Sequence, residues 1–181
     1  MVIKKRFIAL AATLILATVG CSPERSGVAT PAPSPSTNPS SSPSGSTSGN
    51  VFGDLKACDL LEPTTTAKGF DPPTVEQAES DNGCATRKRR YGSARLYLVA
   101  EAGIEQLSAG QGTKNPTKIG GRDAVEIPGD AGTQSCTVAI AVTQGSRLTA
   151  STGLNEGTNE EACALSREIA EAAEPKLPRG N

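Results

Sequence analysis

Apolar and polar positions divide the chain into three stretches. Residues 7–19 are apolar almost without a break. Residues 22–50 are almost entirely Ser, Thr, Pro, Gly and Asn, and from residue 51 apolar positions recur at strand and helix spacings. The short run DLKACDLLE (54–62) predicts a helix with Leu55, Cys58 and Leu61 near one face, Asp54 as N-cap and Pro63 as its stop, with a further turn before Gly69. FDPPTVEQAESDNG (70–83) reads as a loop, punctuated by Pro72-Pro73 and Asp81-Asn82-Gly83. SARLYLVA (93–100) alternates as a strand, with Leu96, Leu98 and Ala100 on one face and Arg95, Tyr97 and Val99 on the other. Residues 101–110 are expected to form a helix carrying Ile104 and Leu107, and KIGGRDAVEI (118–127) a strand with a Gly120-Gly121 turn or bulge inside it.

The clearest hairpin pairs SCTVAIAVT (135–143), with Cys136, Val138, Ile140 and Val142 on one face, with RLTAST (147–152) across the Gln144-Gly145-Ser146 turn. The clearest helix is 159–174. Ala162, Leu165, Ile169, Ala172 and Ala173 form its stripe, and Arg167, Glu168, Glu171 and Glu174 lie opposite. Asn159 is expected to cap it, Glu160 and Glu161 suit its first turn, and Pro175 and Pro178 end it. Hairpin-linked strands with amphipathic helices predict an α+β domain: an antiparallel sheet with packed helices.

The two stretches before residue 51 change where such a domain is expected to work. Lys4, Lys5 and Arg6, an apolar run and then Gly20-Cys21 have the layout of an export signal over residues 1–20. The run is shorter than the ~20 apolar residues a spanning helix needs. Signals cut by the bacterial lipoprotein peptidase resemble Leu-Ala/Ser-Gly/Ala-Cys. Here the sequence is Thr18-Val19-Gly20-Cys21, with Thr18 in place of leucine. Cys21 is therefore read as a lipidation site, its thiol carrying a diacylglycerol thioether and each buried methylene adding ~0.8 kcal/mol of membrane attachment. Residues 21–50 then make a disordered tether, since they offer no apolar surface to offset the entropy of ordering. As a flexible coil the tether reaches about 30 Å, and nearer 90 Å if drawn into polyproline II. Residues 51–181 supply one domain.

Removing residues 1–20 leaves 15 basic against 19 acidic residues, a mildly acidic chain that argues against nucleic acid as a general partner. Aromatic residues are few in the domain, and there is no tryptophan, so the core must be aliphatic and alanine-rich. Beyond Cys21 stand Cys58, Cys84, Cys136 and Cys163, an even set that in an exported domain points to two disulfides. Four cysteines allow three connectivities, and sequence alone does not choose among them. The favoured scheme is Cys58–Cys84 with Cys136–Cys163. In that scheme Cys163, on the flank of its helix's first turn, reaches the nearby strand bearing Cys136. With no C-x-x-C and no histidine, neither a zinc site nor a redox-active pair is predicted, and no cofactor is implied.

Taken with their neighbours, these landmarks form a recognisable series. Cys58-Asp59-Leu60-Leu61, a second cysteine before a strand, GGRDAVEI, SCTVAIAV and EACALSREIAEAAEPKLP resemble the actinobacterial lipoproteins of the domain of unknown function 3558 family, over roughly residues 51–178. The resemblance implies an exported, acylated and tethered protein ending in a cysteine-bearing helix that closes with Leu-Pro, as at Leu177-Pro178. Relatives often carry a tryptophan soon after the second cysteine, where this chain has Ala85-Thr86. The family implies no activity.

Candidate chemistry is sparse. The absence of histidine excludes Ser-His-Asp and Cys-His catalysis. The acidic residues of 160–174 fit a solvated helix face, and Ala109-Gly110-Gln111-Gly112-Thr113 lacks the Lys-Ser/Thr ending of a phosphate loop. The remaining local feature is Arg87-Lys88-Arg89-Arg90. On a strand these four residues would alternate between faces and deter edge pairing. On a loop they would converge on an anion, such as a phosphate-bearing wall polymer or a lipid headgroup.

The reading favoured by the sequence is a non-catalytic binding or scaffold lipoprotein at the extracytoplasmic face of the cell membrane. It is anchored by lipid and meets anionic cell-wall polymers, lipid or envelope proteins. The alternatives are a carrier of a small apolar or lipid ligand between sheet and helix, and a carboxylate-only hydrolase.

Overall fold

The computed structural model describes residues 50–179, so Cys21, the expected export signal and most of the expected tether lie outside the described residues. Two helices, α1 (Ala57–Ala67) and α2 (Asn159–Ala173), pack on one face of a seven-stranded sheet. Its strands are β1 (Thr74–Val75), β2 (Gly83–Lys88), β3 (Gly92–Val99), β4 (Asn115–Ile119), β5 (Arg122–Pro128), β6 (Ser135–Thr143) and β7 (Ser146–Leu154). Every neighbouring pair is antiparallel, and the order is β1-β2-β3-β7-β6-β5-β4. A three-strand meander and a four-strand meander are thus joined where β3 meets β7, with Leu96 opposite Ala150. This is the α+β architecture that the alternation predicts.

The faces follow the period-two pattern. Cys84, Ala94, Leu96, Leu98, Val138, Ile140, Leu148 and Ala150 point to the helices, where they meet Leu60 and Leu61 of α1 and Leu165, Ile169 and Ala173 of α2 in one core. Ala172, expected in the α2 stripe, is exposed, and Ala170 takes its place in the core. Both favoured disulfides are present. Cys58–Cys84 ties α1 to β2 and Cys136–Cys163 ties α2 to β6, closing 26- and 27-residue separations. In a core with few aromatics, each bridge adds ~3–4 kcal/mol in the chain-entropy model.

Several element ends differ from expectation because side chains distant in sequence satisfy the backbone. Helix α1 starts at Ala57, not Asp54. The Ala57 N–H donates to Asn82 Oδ1 at 2.9 Å, and Asn82 Nδ2 donates to the Leu55 carbonyl at 2.8 Å. Pro63 lies inside α1 instead of ending it. Asp59, whose carbonyl loses its partner to that proline, is exposed and so reaches water. Burial of Leu60, Leu61, Thr64 and Thr65 carries the helix on. Helix α2 is capped by Thr158, whose Oγ1 accepts from the Glu161 N–H while Glu161 accepts from the Thr158 N–H. Asn159 instead accepts from the Ser135 N–H. Glu174 does not lie on the solvated face: it pairs with Arg122 at 2.8 Å, and Arg122 also donates to the carbonyls of Leu177 and Pro178.

Residues 118–127 are two strands, not one, because Gly120 and Gly121 both have positive φ (57° and 87°) and form a two-residue hairpin turn. The 70–83 loop contributes the short β1. Residues 101–110 form only a single 3-10 turn, 104–106. Side chains take up the backbone carbonyls that a helix would have used. Arg147 donates to those of Ala102 and Gly103, and Lys114 to those of Ile104 and Glu105. The segment lies across the second sheet face, where Ile104, Leu107 and Ala109 cover Val125, Ile127 and Ala139.

Candidate functional site

The tip between β2 and β3 carries the basic run, and the structure separates its four residues by task. Arg87 and Lys88 end β2, and Arg89 and Arg90 form the turn, which the Tyr91 N–H closes by donating to the Lys88 carbonyl at 3.0 Å. Lys88 faces the helix side. Its Nζ donates to the Lys68 carbonyl at the end of α1 (2.6 Å) and lies 5.2 Å from the centre of the Tyr91 ring. A cation at a helix C-terminus is electrostatically favoured there, so Lys88 is a structural brace. Arg87 lies on the opposite face, with Ala85 and Gly83. Arg87, Arg89 and Arg90 are exposed and form no ion pair among the described residues.

The tip rests on a built support. The Tyr91 ring meets Phe70 edge-on at 5.7 Å, and its carbonyl accepts from the Asn155 N–H at 2.8 Å. Beside it a groove of about 490 Å³ opens between α2 and the end of β7. Leu154 and Leu165 form part of its lining, with Lys68, Glu156, Glu161 and Glu168 around them. Two of those carboxylates are committed, Glu168 to Lys68 at 2.8 Å and Glu161 to the α2 cap.

The face away from the helices holds a polar cluster that the sequence did not announce. Tyr97, 2% exposed, donates its hydroxyl to the Glu76 carboxylate, which also accepts from Arg95 Nε at 3.1 Å. The ring lies over Gly83, where any Cβ would overlap it. Burial, and next the hydrogen bond to Glu76, push the Tyr97 hydroxyl well above the ordinary tyrosine range. Arg147 is buried, held by Thr149, two carbonyls and Glu79. Thr137 bridges Ser151 and Asp130 at 2.7 Å each, and Asp130 Oδ1 is buried without a partner among the described residues. Strand alternation places Arg95 and Tyr97 together. Nothing local marks Glu76, Glu79 or Asp130 as their neighbours.

Glu126, Cys136 and Cys163 bring three candidate ligand atoms within 4.8 Å. Both sulfurs are bonded to each other, and Glu126 pairs with Arg167, so the trio lacks the donors a metal needs.

No curated protein and no solved structure matches the chain. A family model described as protein of unknown function (DUF3558) matches residues 16–176, from the end of the apolar run to the turn after α2. The chain belongs to the DUF3558 family.

Proposed function

We propose that this is a lipid-anchored extracytoplasmic lipoprotein whose folded domain binds envelope ligands without catalysing a reaction. One observation carries the reading: each helix is stapled to the sheet by its own disulfide, a construction suited to an oxidising compartment. The export-signal layout ending at Cys21 supplies the route there and the anchor, and the family match, starting at residue 16, includes that cysteine. The exposed arginines of the β2–β3 tip supply a surface for an anionic ligand. In the test, Cys21→Ser is compared with wild type for labelled palmitate incorporation and for membrane fractionation. The variant is expected to lose the label and to leave the membrane or keep its signal uncut, with both disulfides intact. Equal labelling and fractionation of the two proteins would sink the anchor.

A carrier role has a narrower basis, the groove beside Leu154 and Leu165. Native mass spectrometry of protein purified from its own membrane decides it: a co-purifying lipid supports the carrier, and an empty domain supports the binding surface.

A further inference from the structure

We propose that the β2–β3 tip is an arginine clamp for a flexible polymer bearing repeated phosphate groups, held on the side of the domain away from where the tether enters. This deepens the binding role proposed above and rests on it.

The first observation is a conflict between backbone and side chain. Arg90 has φ 63°, in the third position of the Lys88–Tyr91 turn. Turns with positive φ at that position favour glycine or asparagine, because a Cβ there is strained. An arginine nevertheless occupies it, with arginines at 87 and 89. Backbone strain of this kind clusters at functional sites and ligand clamps. Support is present here: Lys88 on the end of α1, and Tyr91 against Phe70. The backbone of the turn is therefore held in place.

The second observation concerns the kind of anion. All three guanidinium groups are planar forks matched to two phosphate oxygens. All three residues are exposed, so one small anion would be held weakly, in water's high dielectric. A polymer engages several forks at once and gains from releasing several counterions. Asp71 and Glu156 flank the tip, which disfavours a broad rigid polyanion laid across the domain and favours a flexible chain.

The third observation concerns direction. Asn50, where the described chain begins, lines a groove with residues 79–82 and 98–101, at the far end of β3 from Gly92. Eight strand residues separate the two ends by ~25 Å. The clamp thus lies at the opposite end of β3 from the tether's entry.

The test uses full-length protein with inorganic polyphosphate as the probe, titrated from 50 to 200 mM salt. Three phosphate contacts predict a log–log salt slope of about −2, roughly a 20-fold loss over that range. Arg90→Gly is expected to melt no lower than wild type, yet bind several-fold more weakly with a shallower slope. The triple Arg87→Ala, Arg89→Ala, Arg90→Ala chain should lose the salt-dependent binding, and Lys56→Ala/Lys176→Ala should keep it. Wild-type affinity in Arg90→Gly, or equal loss in the lysine control, would overturn the clamp. Vesicles of phosphatidylglycerol and phosphatidylcholine form the second arm. A tip-dependent preference for phosphatidylglycerol without polyphosphate binding would make the bilayer the partner and overturn the proposal. Failure here leaves the Cys21 labelling result unaffected, so the two readings fall separately.

Discussion

Tyr97 and Glu76 join the edge of the sheet across three strands. The tyrosine on β3 lies over Gly83 of β2 and donates its hydroxyl to the carboxylate that directly follows β1. Burial first, and this hydrogen bond second, favour neutral Tyr97, so its folded pKa is raised. That stability is complete below the unfolded tyrosine value of about 10 and is lost as pH rises above it. Wild type is therefore expected to lose stability steeply above pH 10. In a Tyr91→Phe background, leaving Tyr97 as the chain's remaining tyrosine, Tyr97→Phe should cost about 1 kcal/mol at pH 7 and flatten that alkaline slope. Urea denaturation at pH 8 to 11 reads both effects, and an unchanged slope in the phenylalanine variant would refute the assignment.

Arg147 holds residues 101–107 to the sheet through two carbonyls, Thr149 and Glu79. Replacing it with alanine strands those carbonyls, at a cost of about 2–3 kcal/mol. The expected signature is local. Amide exchange should accelerate in 101–114 more than in β3 or β7. Lysine at 147 lacks the fork needed to reach all four partners and should recover less than half the loss. Uniform acceleration across the sheet would instead mean that Arg147 supports the whole fold.

The two disulfides close loops of similar length but hold different helices. Cys136→Ala/Cys163→Ala and Cys58→Ala/Cys84→Ala are each expected to lower unfolding free energy by about 3–4 kcal/mol. Because α2 also fills much of the core with Leu165, Ile169 and Ala173, loss of its bridge should leave α2 protected from exchange. Loss of the α1 bridge should expose α1, which lacks a side-chain cap of its own. Equal protection of both helices would contradict this ranking.

The outer edge of the sheet is blunted by β4. With a two-residue turn, Asn115, Thr117 and Ile119 bond to β5 while Pro116 and Lys118 face outward. Proline has no N–H to offer there, and lysine discourages a second strand. Pro116→Thr/Lys118→Val is expected to associate with rising concentration in sedimentation velocity, relative to wild type. Identical sedimentation of the two would show that the edge is protected by something else.

How far the fold was legible follows from the range of the forces involved. β6, β7 and α2 were readable because alternation and a helical stripe are local signals, and long elements repeat them several times. At the start of α1, in 101–110 and at Glu174 expectation failed because the deciding partner lay far along the chain: Asn82, Arg147 and Arg122 respectively. The basic run 87–90 was visible in the sequence, but its division into one brace and three exposed arginines was not. That division depends on Lys68 and Phe70 meeting the tip.

By itself, the sequence determined the α+β class, the faces of β3 and β6, the even cysteine set, and an export-signal layout ending at Cys21. Each follows from residue type and short-range spacing. Tertiary structure decided which cysteines meet, where the helices begin, how two meanders join at β3 and β7, and which polar side chains are buried together. Those outcomes depend on closing loops tens of residues long, where packing and backbone hydrogen bonding, not local propensity, choose among the available ends.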